Sequence, residues 1–195
     1  MKQNNTYTKL AIFIVIIGIL LRFYLASTYH ISGDACWQIS NSRFIAENNE
    51  LPLFEHYGRD EPFWPPPVFH ILSATIYKIS PNPESNVKLL SPLLGSLTLI
   101  IFFLLANKLF NAKTAFYSTL FLTFIPLHLD YSVFSYIDST VTFFTLLSVY
   151  LALNNRIYLA SIAAGLSVLS KYNGIFILPV LFIIIYKKKN FIKNF

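Results

Sequence analysis

The chain has 195 residues, of which 55% are hydrophobic and 12% charged, and its mean hydropathy is +0.55. A soluble globular domain has about 25% charged residues, so this composition excludes a small soluble enzyme. The single cysteine, Cys36, excludes an intramolecular disulfide framework and a cysteine-based zinc cluster. The net charge of +6 is scattered around apolar runs of membrane length. We therefore predict a polytopic membrane protein that binds no nucleic acid.

Six apolar stretches are the predicted transmembrane helices, because a helical span needs about 20 residues, with a range of about 17–25. In chain order they cover residues 10–26, 89–106, 114–129, 139–153, 157–170 and 172–186. Lys2 and Lys9 before the first stretch also fit a signal peptide. Arg22 and the bulky residues after it do not resemble a cleavage region, which favours an uncleaved anchor.

A seventh apolar stretch, Val68–Ile79, decides the predicted topology. It is too short to span, and one of its faces carries His70 and Tyr77, so we predict a helix lying at the membrane interface. This choice places all nine acidic residues outside and the lysine run at 187–189 inside. The sequence thus predicts an all-α plasma-membrane protein with about six transmembrane helices and both termini cytoplasmic. Its external first loop, residues 28–88, carries short interfacial helices.

Two acidic residues lie where predicted helices begin on the outer side. Asp34 follows Gly33 just beyond the first span, and Asp138 opens the fourth. Each can be an N-cap that satisfies free backbone N–H groups. Each can also be a functional carboxylate, a general base or a metal ligand, since an acid at the mouth of a membrane bundle is costly to place there.

Four further residues are candidate substrate-binding groups. Glu61 begins an acidic, aromatic and proline-rich stretch that continues to His70, and this stretch suits the headgroup region. It can equally be a helix start with an aromatic belt and no chemistry. Lys171, in the outer turn between the last two spans, can bind a lipid phosphate or extend to the surface. Arg59 is the fourth candidate, because a guanidinium suits bidentate phosphate binding. It is one of the predicted external cations, which are Arg22, Arg43, Arg59 and Lys88.

The order of these features resembles the N-terminal part of the GT-C superfamily of glycosyltransferases, which use polyprenyl-phosphate sugars. The superfamily includes protein O-mannosyltransferases, the aminoarabinose transferase acting on lipid A, and oligosaccharyltransferase catalytic subunits. We interpret residues 1–195 as one GT-C-like transmembrane domain, truncated at the C-terminus because such enzymes usually have eight or more spans. The matching pieces are Gly33-Asp34-Ala35, Glu50-Leu51-Pro52, Pro66-Pro67-Val68-Phe69-His70, Tyr136-Ile137-Asp138 and Leu169-Ser170-Lys171-Tyr172.

The resemblance implies transfer of a sugar from a polyprenyl-phosphate donor, such as dolichyl phosphate mannose, to a protein, lipid or glycan acceptor at the outer face. It implies an inverting reaction with Asp34 as general base and Asp138 as the second acid. In some members the second acid helps to hold a divalent metal, so Mg²⁺ or Mn²⁺ is the candidate cofactor, with both acids as its candidate ligands. Ala35 stands where many relatives have an acid, and Thr140 stands where the oligosaccharyltransferases have a second acid. The second difference argues against an oligosaccharyltransferase-type metal site.

Two other functions stay open at this point. One is a non-catalytic membrane partner subunit that keeps the fold without turnover. The other is half of a transporter or flippase, which would have helices broken at mid-membrane and inverted repeats. The charges gather at one face and no repeat is visible in the sequence, which favours the glycosyltransferase.

Overall fold

In the computed structural model the chain is helical almost throughout, which confirms the predicted all-α class. The structure describes residues 2–31, 33–54, 62–63 and 65–193, and within these ranges there is no strand, only an isolated bridge between Phe54 and Pro62. Two 3-10 turns cover Val87–Leu89 and Tyr172–Phe176. The helices are α1 (Lys2–Thr28), α2 (Asp34–Asn48), α3 (Val68–Ile79), α4 (Pro83–Asn86), α5 (Leu90–Leu109), α6 (Ala112–Phe124), α7 (Pro126–Val133), α8 (Asp138–Leu153), α9 (Ile157–Val168) and α10 (Ile177–Lys193).

Two helical segments are long and apolar enough to cross a membrane, Asn5–Thr28 and Val87–Leu109. Helices α7 and α8 make a third candidate if they count as one span, although they are bent by 110°. Helices α6 and α9 have only 13 and 12 residues, about 20 Å of rise against a hydrocarbon core about 30 Å thick. By length, the structure supports two or three spans and does not confirm six.

A helix break divides the third predicted span, residues 114–129. Helix α6 ends at Phe124, Ile125 is extended with ψ 122°, and Pro126 begins α7. Proline has no backbone N–H and disfavours helical geometry in the residue before it. The single helix expected from the apolar pattern is therefore wrong, because hydrophobicity continues through a residue that ends the helix.

Arg22, predicted to be an external cation, is instead fully buried in α1. Its guanidinium donates to the Gly18 carbonyl at 3.0 Å and to His128 Nδ1 at 2.8 Å, and it lies 3.5 Å from the Thr123 carbonyl. Thr123 is in the last turn of α6, where carbonyls have no partner within the helix and favour a nearby cation. The break between α6 and α7 thus supplies the contacts that let Arg22 be buried.

Helix α5 is the centre of the bundle and contacts α1, α6, α7 and α8. Small side chains allow close packing of α1 and α6 against it, since Ala11, Ala106 and Ala115 pack with Phe103. A second cluster joins α8, α9 and α10, again through alanines. Close approach at small residues is the usual way in which helices associate within a membrane.

Helices α2 and α3 pack against one another beside this bundle. Ile45 and Ala46 of α2 contact Ala74 of α3. Phe69 of α3 packs against Leu90 and Leu94 in the first turns of α5. The face of α3 with His70 and Ser73, predicted to lie at the membrane interface, is buried. The Val68 N–H donates to the Leu169 carbonyl at 3.0 Å, which brings the start of α3 to the turn after α9.

Candidate active site between the first loop and the bundle

A cavity of about 990 Å³ lies where α2, residues 65–66 and the chain before α8 and α10 meet. This volume is at the upper end of the range for small-molecule sites. Asp34, Asp138 and Lys171, all singled out from the sequence, contribute to its lining. The other lining residues with polar or aromatic groups that bear on function are Cys36, Trp37, Gln38, Ser40, Arg43, Tyr136 and Tyr172.

Asp34 is the first residue of α2 and is exposed at the cavity. Gly33 occupies the N-cap position with φ 56°, a left-handed conformation that favours glycine. Within the described part of the chain, the Asp34 carboxylate has no hydrogen-bond or ion-pair partner. A carboxylate in the first turn is stabilised by the helix dipole and here can accept a hydrogen bond or proton from a ligand.

Asp138 is in a different state because it is ion-paired. Lys171 Nζ lies 2.6 Å from Asp138 Oδ1, and the two side chains are 34% and 30% exposed, respectively. The start of α8 is held by Ser139, whose hydroxyl donates to the Tyr136 carbonyl at 3.0 Å. The pair therefore fixes an ammonium group at the cavity wall and leaves Asp34 as the unpaired carboxylate of the two.

The turn that carries Lys171 is fastened to α9 by a close backbone contact. A Cβ built on Gly174 would lie 2.4 Å from the Ser167 carbonyl carbon and oxygen, so only glycine fits. The Gly174 N–H donates to the Lys171 carbonyl at 2.8 Å. Ser167 is in turn hydrogen-bonded to Thr145 of α8 at 2.7 Å, and these contacts set the position of Lys171 relative to α8.

Tyr136, which lines the cavity next to Asp138, is part of an aromatic cluster. The Tyr136 ring lies 5.5 Å from Tyr131 and 5.9 Å from Phe134, and Phe134 is 4.0 Å from Tyr29. Burial, with added repulsion from neighbouring groups including Asp34, raises the pKa of Tyr136. The phenol therefore stays protonated and can donate a hydrogen bond into the cavity.

His70, predicted to contact substrate, is not among the residues that line this cavity. It is fully buried, and its ring is nearly perpendicular to those of Trp37, Phe63 and Phe69, with centroid distances of 6.0, 5.3 and 5.6 Å. Burial lowers the pKa of His70 to about 4, so the ring is neutral. The structure gives it a place in the α2–α3 packing instead. The other two predicted contacts, Arg59 and Glu61, lie outside the described residues.

The candidate metal site does not fit the residues that the structure describes. Mg²⁺ and Mn²⁺ favour several oxygen ligands, yet the Asp138 carboxylate is already engaged by Lys171. No group of three or more His, Cys, Asp or Glu side chains in the described ranges could hold a metal ion. We therefore assign no metal ligand.

Sequence reasoning missed Trp37, Gln38 and Tyr136 as lining residues. Gln38 follows Asp34 by four residues, so both lie on one face of α2. That spacing could have identified Gln38. Tyr136 could have been identified only through its place two residues before Asp138.

Residues 64–195 match the model of a protein family described as dolichyl-phosphate-mannose-protein mannosyltransferase. The chain belongs to this family. The match covers more than half of the chain, and it confirms the resemblance to GT-C glycosyltransferases noted from the sequence. Asp138 and Lys171 lie within the region matched by the mannosyltransferase family, whereas Asp34 and the whole of α2 precede it. Comparisons with curated proteins and with solved structures found no match.

Proposed function

We propose that this protein transfers a mannosyl group from dolichyl phosphate mannose to a hydroxyl group of a protein acceptor at the outer face of a membrane. The observation that carries this proposal is the mannosyltransferase family match together with the cavity that joins Asp34 to the Asp138–Lys171 pair. One side of the cavity offers the Asp34 carboxylate, which has no partner among the described residues, and the other side offers the Lys171 ammonium group. Glycosyl transfer from a phosphate needs both, a base for the acceptor and a cation for the leaving group.

In the proposed reaction the acceptor hydroxyl oxygen attacks the anomeric carbon of the sugar. The bond between that carbon and the phosphate oxygen breaks as the new bond forms on the opposite face, so the configuration inverts. Asp34 takes the hydroxyl proton, and dolichyl phosphate leaves with the electron pair of the broken bond.

The cations of the cavity act on the leaving phosphate. Lys171 is held by Asp138 at 2.6 Å, and Arg43 of α2 also borders the cavity while its Nε donates to Glu47 at 2.8 Å. An ammonium is a point charge for phosphate, and a guanidinium can bind two phosphate oxygens at once. We assign Asp138 the task of positioning Lys171.

We further propose a single GT-C-like domain with six membrane segments, a plasma-membrane location, both termini in the cytoplasm, and residues 28–88 outside. The support is the distribution of acidic and basic residues along the chain. In a Cys36→Ser background, single cysteines at Glu47 and Lys108 should react with an impermeant maleimide from opposite sides. Labelling of both from the same side would contradict this topology.

The catalytic assignment is tested by Asp34→Asn, which preserves the size of the side chain and removes its charge. In proteoliposomes containing dolichyl phosphate mannose and a serine- and threonine-rich peptide, the variant should transfer mannose at least about a hundredfold more slowly. Asp130→Asn is the matched control, because Asp130 is exposed on α7 and does not line the cavity. It should retain the parent rate.

The same experiment separates catalysis from a partner-subunit role. If Asp34→Asn inserts correctly and keeps full activity, Asp34 is not the base. If the parent chain transfers no mannose alone but supports transfer by a co-purified protein regardless of Asp34, the chain is a non-catalytic subunit.

A further inference from the structure

The α2 wall of the cavity contains polar atoms that have no hydrogen-bond partner in the described part of the chain. Gln38 is 5% exposed and borders the cavity, and its amide oxygen Oε1 is buried without a donor. The Trp37 indole N–H and the Ser40 hydroxyl, on residues that also border the cavity, are likewise buried and unpaired. Such atoms are costly to the free protein, so their presence at a cavity wall points to a bound group that pairs with them.

The chemistry of these atoms identifies the kind of group. The Gln38 amide oxygen can accept a hydrogen bond, and the Trp37 indole N–H can donate one next to an apolar ring. The Ser40 hydroxyl can donate or accept. None of the three side chains carries a charge, whereas Lys171 and Arg43 provide the cations of the same cavity. A phosphate would favour the cations. A neutral ring with several hydroxyl groups and apolar C–H faces fits the α2 wall.

The position of Gln38 places this wall beside the proposed base. Residues four apart on a helix lie on the same face, so the Gln38 amide is one turn along α2 from the Asp34 carboxylate. A sugar whose anomeric carbon faces Asp34 would have its ring hydroxyls next to Gln38 and Trp37.

We propose that Gln38 and Trp37 form the subsite for the sugar ring of the donor, with Gln38 Oε1 accepting a hydrogen bond from one sugar hydroxyl and the Trp37 N–H donating to another. This inference rests on the proposed function and adds the residues that recognise the sugar. A site built to bond a hydroxyl group discriminates against ligands that lack it. Gln38 therefore contributes affinity for the sugar and none for the lipid phosphate.

Cys36 provides a way to measure binding without turnover. It is the only cysteine of the chain, it is exposed, and it lines the same cavity. The rate at which a maleimide alkylates it, measured against increasing dolichyl phosphate mannose or sugar-free dolichyl phosphate, gives an apparent affinity for each lipid. Both lipids should protect Cys36 in the parent protein, and the mannosylated one at lower concentration.

Gln38→Met removes the amide while keeping the length of the side chain. The concentration of dolichyl phosphate mannose needed for half-protection should rise roughly fivefold to tenfold, as expected for one lost hydrogen bond, with no change for dolichyl phosphate. The thermal unfolding midpoint of the ligand-free variant should be unchanged or higher, because an unpaired buried amide has been removed. A structural glutamine would lower that midpoint instead.

Thr119→Val is the matched control. Thr119 is fully buried in α6, and its hydroxyl is also without a hydrogen-bond partner among the described residues, but it does not line the cavity. This variant should leave both affinities at the parent values.

The outcomes separate the two proposals. If both lipids protect the parent but Gln38→Met changes their affinities equally, or changes neither, the sugar subsite is wrong and the donor cavity stands. If neither lipid protects Cys36 in the parent, the donor cavity itself is wrong and the subsite falls with it.

Discussion

The ion pair between Lys171 and Asp138 permits a decisive test of how the second acid contributes. We expect Asp138 to act through Lys171, so its loss should matter only while Lys171 is present. The variants are Asp138→Asn, Lys171→Met and the double variant. If one residue positions the other, the double variant should be no slower than Lys171→Met alone.

The geometry sets the expected magnitude. Two unit charges 2.6 Å apart attract by about 1.6 kcal/mol at the dielectric constant of water and by about 6 kcal/mol at an effective value near 20. Since about a third of each side chain is exposed, the lower limit applies, and side-chain ordering reduces it further. We expect a coupling free energy of about 1 kcal/mol, which is about a fivefold effect of Asp138→Asn on transfer.

Loss of Lys171 should cost more, because it removes a cation from the leaving phosphate. We expect kcat/KM to fall roughly tenfold to a hundredfold, measured as mannose transfer in proteoliposomes. Lys108→Met is the control, since the Lys108 ammonium donates to Asn154 Oδ1 at 2.9 Å and Lys108 does not line the cavity. If the double variant is slower by the product of the two single effects, Asp138 has chemistry of its own and the positioning role is refuted.

Three further predictions concern the packing around the site. Gly174→Ala should lower the free energy of unfolding by about 1–3 kcal/mol and reduce transfer as well, because the added methyl group would meet the Ser167 carbonyl at 2.4 Å. If the variant unfolds in detergent at the same temperature as the parent, the turn can shift freely. Gly18→Ala should destabilise by a similar amount, since its Cβ would lie 2.7 Å from Leu99 Cδ1, and unchanged thermal unfolding would contradict the packing of α1 on α5. The pKa of His70 is lowered from 6.5 to about 4 by burial, so the unfolded chain binds a proton in that interval before the folded one does. The free energy of unfolding should therefore fall by up to about 3 kcal/mol as the pH falls from 6.5 to 4. His70→Phe should remove that part of the pH dependence. The same pH dependence of unfolding in parent and variant would show that His70 is not buried.

The helix starts at the site could be predicted because their signals are local. The sequence predicts that Asp34 and Asp138 open helices, and each is the first residue of one, α2 and α8. Neither is the N-cap, because Gly33 and Ile137 occupy those positions and no side chain caps either helix. The sequence also predicts the helix Val68–Ile79 with its observed bounds, because three prolines precede it. The break at Pro126 has a local signal too, since proline disfavours helical geometry in the residue before it, but the apolar pattern continues through it.

The sequence by itself determined the helical class, the membrane character and the glycosyltransferase resemblance. These follow from the length of the hydrophobic runs, the aromatic and proline content and the order of short motifs, none of which depends on how the helices pack. Only the tertiary structure decided the partners of the charged side chains. Lys171 and Asp138 are 33 residues apart, and Arg22 and His128 are 106 apart. Such pairs form because helices approach closely at particular glycines and alanines, and neither the place of approach nor the crossing angle is written in the periodicity of a single helix.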